Sequence, residues 1–196
     1  MKRALVLAGG GARGSYQVGM LQELIGNQGI DFNVIRGVSV GALNASFLAQ
    51  ASARGGVEAL KERLESLYGI WTAITGNNDI YSERGGFPAI VVGSDSLYSL
   101  EPLRELIEKR ISVEALRKSG RDFAVGTVSL VKGAYREWTP RDRGFLEKLL
   151  ASASIPFIFP YVDFGAERDV LVDGGVRNMT PLSSALPQNP MRSTYC

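Results

Sequence analysis

The stretch Val34-Ile35-Arg36-Gly37-Val38-Ser39-Val40-Gly41-Ala42-Leu43-Asn44 constrains the fold more than any other part of the chain. An apolar run leads into Gly-x-Ser-x-Gly, and a helix-forming run leads out. This pattern marks a sharp passage from strand to helix that presents a serine at the bend. The glycines have a steric reason. Ser39 is squeezed into a strained backbone conformation, and side chains at Gly37 and Gly41 would collide with the neighbouring strand and helix. On this match alone a strand–loop–helix turn without chemistry stays open.

The chain has 196 residues, enough for one domain with a substantial core. Hydrophobic residues make up 45% and charged residues 21%, and the net charge is +2, a balance that gives no sign of a nucleic-acid surface. The single cysteine, Cys196, has no partner within the chain, which fits a reducing, cytoplasmic setting. The count that narrows chemistry most is histidine, at 0. A Ser-His-Asp triad, an HExxH metal site and an imidazole base are all excluded. If Ser39 is a nucleophile, a carboxylate, lysine or tyrosine must take its proton.

Residues 3–8 form an apolar run without alternation, as expected of a parallel strand covered on both faces. The run is too short for a signal peptide, and no apolar stretch approaches the ~20 residues of a membrane span. Gly9-Gly10-Gly11-Ala12-Arg13-Gly14 follows, then an amphipathic helix with Ser15 as its expected N-cap. A glycine loop between a strand and a helix N-terminus is an anion site. It suits a dinucleotide phosphate or the oxyanion of an acyl-transfer intermediate. The dinucleotide reading expects an acid at the end of the second strand, but the strand at 34–38 runs into Ser39 instead, so that reading loses most of its weight.

Further helices are expected at 40–53, 56–68, 101–118 and 142–151, and strands at 122–131, 134–138 and 169–172. Residues 76–99 are rich in turn formers with interspersed aromatics, the composition of a lid, a groove wall or a plain insertion. In Ala151-Ser152-Ala153-Ser154-Ile155-Pro156-Phe157-Ile158-Phe159-Pro160 the prolines rule out a regular helix. Asp173-Gly174-Gly175 puts an acid at a strand end, where open α/β sheets build their sites. With histidine absent, a Ser39–Asp173 dyad is the economical hypothesis.

At this point the chain resembles the patatin-like phospholipases. GGGARG at 9–14, GVSVG at 37–41, ASASIPFIFP at 151–160 and DGG at 173–175 match that family's motifs in order. The resemblance implies a three-layer α/β/α fold with a mainly parallel central sheet. It implies lipid acyl hydrolysis through a Ser39–Asp173 dyad, without metal or cofactor. The substrate would be a phospholipid or other acyl-ester lipid, with room for peripheral contact at membranes. The oxyanion hole would come from the loop of Gly9, Gly10, Gly11, Arg13 and Gly14, with Val40 beyond the serine. Gly37, Gly41, Gly174 and Gly175 would serve as structural glycines. Members of that family continue well past DGG, so residues 1–196 are expected to form a single patatin-like domain that is truncated at its C-terminal end, naturally minimal, or a fragment of a longer protein. A catalytically silent lipid-binding or regulatory protein of the same fold is the competing reading.

Overall fold

The computed structural model describes residues 3–83, 96–165 and 168–186. Its frame is a 6-stranded sheet. β1 (Ala4–Leu7), β2 (Val34–Val38) and β5 (Asp122–Ser129) lie side by side and parallel, with Leu7 opposite Gly37 and Val38 opposite Gly126. The mainly parallel centre explains the predominantly apolar sequences of these strands, which are covered on both faces. β3 (Ser82–Glu83) and β4 (Tyr98–Ser99) form a separate small antiparallel pair.

The remaining strands are antiparallel and decide where the site falls. β6 (Ala134–Trp138) pairs with residues 125–129 of β5 on one edge. β8 (Asp169–Asp173) pairs with Thr127–Ser129 and carries β7 (Val162–Phe164) on its far side. Because β6 occupies the same length of β5, β8 must share the opposite edge with β2. The two strands therefore abut end to end. β2 stops opposite Gly126, and β8, running the other way, stops opposite Thr127. Ser39 follows the end of one and Asp173 ends the other.

Helices flank the sheet. α1 (Gly14–Leu21), α2 (Val40–Ala49) and α3 (Gly56–Ala73) precede β3. α4 (Glu101–Arg110), α5 (Val113–Lys118) and α6 (Phe145–Ser152) follow β4. α2 and α6 pack on the face made by Ile35, Phe123, Val125 and Leu171, within one continuous core. The α2 sequence is apolar all round, and nearly every residue in it is buried, as a helix between a sheet and outer helices should be.

Two of the differences from the sequence expectation have a clear local reason. The helix expected over 101–118 is two helices. Ser112 interrupts it, accepting a hydrogen bond from the Ala115 N–H at 3.1 Å and so capping α5. Ser15 is not an N-cap. α1 already begins at Gly14, and the Ser15 hydroxyl donates back to the Ala12 carbonyl at 3.0 Å. In the turn-rich segment 76–99, residues 84–95 lie outside the described residues. The rest supplies a one-turn helix at Asn77–Asp79 and the β3–β4 pair.

Candidate active site

Ser39 occupies the bend between β2 and α2 with φ 57° and ψ −134°, a region that non-glycine residues rarely enter. The turn is held from several sides. A Cβ at Gly41 would run into the carbonyl oxygens of Leu7 and Ala8 on β1, and one at Gly37 into the backbone of Gly41 and Ala42. The Ser39 N–H, which a regular helix would leave without a partner, donates to the Ser152 hydroxyl at 3.0 Å. Ser152 in turn donates to the Gly126 carbonyl at 2.6 Å.

Asp173 reaches the serine from the opposite direction, and its carboxyl lies beside the Ser39 side chain. One of its oxygens also accepts the Gly175 N–H at 2.7 Å, and the Asp173 N–H donates to the Ser154 carbonyl at 2.9 Å. Gly174 fits because the Gly126 backbone fills the space where its Cβ would stand. Burial pushes the Asp173 carboxyl above the ordinary carboxylate range, while the Ser39 side chain and the Gly175 N–H pull against that shift. Asp173 is 3% exposed and Ser39 7%.

The glycine loop completes the cluster. Gly9 lies against the serine, where a Cβ on it would stand 3.2 Å from the Ser39 Cβ. Its N–H donates to the Met179 carbonyl at 3.1 Å. Gly11 has φ +56° and begins a short 3₁₀ turn, Gly11–Arg13, whose first N–H has no acceptor within the turn. Val40 holds the same position at the start of α2. The N–H groups of Arg13 and Gly14 are used inside the loop, on Gly10 and on Ala12 and Gly11. Gly14 is a packing glycine, since Val40 and Trp71 occupy the place of a Cβ.

Two supporting residues were not legible as such. Asn44, 1% exposed, donates to the Gly14 carbonyl at 3.1 Å and to Gln17 at 3.0 Å, and accepts the Trp71 indole N–H at 2.9 Å. Gln17 then donates to Ala8 at 2.7 Å, so this network fixes the glycine loop to α2. The second is Ser152. The run at 151–154 announces itself only as small residues before a proline. In the fold it ties the two halves together, with the Ser152 hydroxyl on the Ser39 turn and the Ser154 carbonyl on Asp173.

A cavity of about 410 Å³ opens beside Ser39, Gly11 and Ala12. Its walls are mainly apolar: Val40, Leu43 and Phe47 of α2, Trp71 of α3, and Leu103 and Ile107 of α4. Ile155 and Phe159 stand at the serine end, where Phe159 packs on Tyr81 with ring centroids 5.4 Å apart. Between them Phe157 points outward, 83% exposed, with φ 67°. Among the described residues, no helix is long and apolar enough to cross a membrane.

A strained serine beside a buried carboxylate, in a chain without histidine, sets this α/β protein apart from those built on an imidazole. The chain belongs to the patatin-like phospholipase family, whose model matches residues 5–186. Among solved structures it is similar to VipD from Legionella pneumophila, at 16% identity and a TM-score of 0.49. That match covers 89% of this chain and 46% of the other, so the chain spans less than half of VipD's length. No curated protein matches it.

Proposed function

We propose that the protein is a serine hydrolase that cleaves fatty-acyl ester bonds of phospholipids or related lipids, with Ser39 as nucleophile and Asp173 as its base. The observation that carries the reading is the placing of Ser39 next to the buried Asp173 carboxyl, beside an apolar cavity that Ser39 lines. As Ser39 Oγ attacks the ester carbonyl carbon, Asp173 accepts its proton. An ordinary aspartate, with a pKa of ~3.9, is a poor base near neutrality, and burial moves Asp173 in the useful direction. The tetrahedral oxyanion forms beside the N–H groups of Gly10, Gly11 and Val40. Each such donor typically lowers the barrier by ~2.7–4 kcal/mol. Gly9, Arg13 and Gly14 then shape the loop rather than donate. Collapse expels the alcohol, which takes the proton from Asp173. Water, activated by the same carboxylate, releases the fatty acid from Ser39. The exposed Ile155, which lines the cavity, and the exposed Phe157, Ile158 and Tyr161 that follow it support peripheral contact with the lipid surface that supplies the substrate.

Ser39→Ala and Asp173→Asn should each abolish hydrolysis of a chromogenic acyl ester, and a fluorophosphonate should label Ser39 alone. Full activity in either variant sinks the dyad, and absence of labelling favours the silent lipid-binding reading. In the wild type, kcat/KM should fall on the acid side through an apparent pKa above ~3.9. The folded-state pKa of Asp173 is raised. Its contribution to stability is therefore full below ~3.9 and lost as pH rises through the folded value. At neutral pH the ionised carboxylate weighs against the fold, so Asp173→Asn should keep or raise Tm there.

A further inference from the structure

The cavity has a direction. Val40, Leu43, Asn44 and Phe47 recur at helical spacing, so one face of α2 lines it, starting at the serine. At 1.5 Å per residue, Phe47 lies about 12 Å beyond Ser39. The facing wall is α4 and its continuation, from Leu100 at the Tyr81–Tyr98–Phe159 cluster to Ile111, a path of about 16 Å on the same rise. The far ends of the two walls are tied together. Gln50, at the end of α2, donates to the Arg110 carbonyl at 3.3 Å and accepts the Ser112 N–H at 2.9 Å. Away from Ser39 the walls are thus clipped together. Ser46 and Phe47 of α2 and Ile107 and Ile111 opposite line that far end.

We infer that this cavity measures one acyl chain and selects medium lengths, with Phe47 and Ser46 setting the limit. An extended chain advances roughly 1.2 Å per bond, a third of the ~3.6 Å spanned by a three-bond residue. The two walls therefore admit about ten to thirteen bonds from the ester carbon, which corresponds to acyl chains of about eleven to fourteen carbons. This selectivity deepens the proposed ester hydrolysis and rests on it, while occupancy of the cavity can be measured without turnover. Trp71 lines the cavity and reports on it, whereas the second tryptophan, Trp138, is buried elsewhere with its indole N–H on Thr127.

The test titrates the Ser39→Ala protein with saturated fatty acids from butyrate to stearate, following Trp71 fluorescence, and runs the wild type on the matching nitrophenyl esters. Affinity should rise about fourfold per added methylene and stop rising between decanoate and myristate. Phe47→Ala should move the optimum about two carbons longer. Ser46→Leu should move it shorter, since Ser46 is fully buried against the cavity and its hydroxyl donates to the Leu43 carbonyl. Phe47 also belongs to the core, so Ser46→Leu carries the test if the alanine variant does not fold. Affinity that climbs unchanged through stearate, or an optimum that neither variant moves, overturns the inference. Chain-length-dependent binding without ester turnover would retain the ruler and reject the hydrolase reading instead.

Discussion

Two turns in this molecule hold a non-glycine residue at positive φ beside the same cavity, Ser39 at 57° and Phe157 at 67°. Strain of this kind is worth of order 1–3 kcal/mol, and surroundings must over-determine it to keep it. The surroundings are opposite. Ser39 is 7% exposed, with the Leu7 and Ala8 carbonyls against Gly41, the Ser152 hydroxyl on its N–H and the Asp173 carboxyl beside its side chain. Phe157 is 83% exposed and is held through its backbone, its carbonyl accepting from Leu97 at 3.3 Å while the next carbonyl accepts from Tyr98 at 3.0 Å. The first turn aims a small polar group inward with high precision. The second holds a large apolar group out in water, which neither packing nor hydration favours. On the proposed function, the first is a turn for chemistry and the second a turn for lipid contact.

The strongest break in this comparison is Gly41→Ala. A methyl there meets backbone carbonyls of β1, which cannot yield as a side chain can. Overpacking of this kind costs about 3 kcal/mol or more, or roughly 6–12 °C of Tm in a domain of this size. Activity should vanish with it. A Gly41→Ala protein with wild-type Tm and turnover would mean that the bend is not held by this contact.

Next in size is Ser152→Ala. It leaves the Ser39 N–H and the Gly126 carbonyl unpaired while removing no atom of the proposed dyad. Leaving such buried groups unsatisfied costs about 1–3 kcal/mol. The proposed mechanism adds a kinetic signature. Because the Ser39 turn loses its support, kcat should drop by roughly ten- to a hundredfold with KM little changed. A change confined to Tm would reduce Ser152 to packing.

The contrast also explains what could be read in the chain. The Ser39 turn was legible because its signal is compact in the sequence. Glycine at 37 answers to the backbone of Gly41 and Ala42, glycine at 41 to the Leu7 and Ala8 carbonyls on the neighbouring strand end, and strand β2 and the helix-forming run of α2 flank the serine directly. Asp173 was legible as an acid at a strand end, but not the route by which it arrives. That route depends on β8 running antiparallel and sharing an edge of β5 with β2, a pairing that periodicity does not encode. Asn44 and Ser152 were hidden for a similar reason. Each acts across the fold, on a partner about 30 or 113 residues away, and looks locally like any small polar residue in a helix. The helix break at Ser112 was missed because a cap inside a charged amphipathic run looks like part of its solvated face.

Phe157→Gly probes the exposed turn and should have the smallest effect. Glycine adopts φ 67° without strain, so the variant should be more stable by about 1 kcal/mol, or a Tm higher by roughly 2–4 °C. Soluble short-chain esters should be turned over at the wild-type rate, since the side chain points away from Ser39 and the cavity. Phospholipid presented in vesicles should be hydrolysed about tenfold more slowly, the loss expected when one aromatic no longer buries itself in the lipid. The paired variant Ser39→Gly should gain similar stability and lose turnover of both substrates. If Phe157→Gly hydrolyses vesicles at the wild-type rate, the exposed ring is not a lipid contact. If it slows both substrates equally, the two turns are coupled, and the division between a chemical and a contact turn fails.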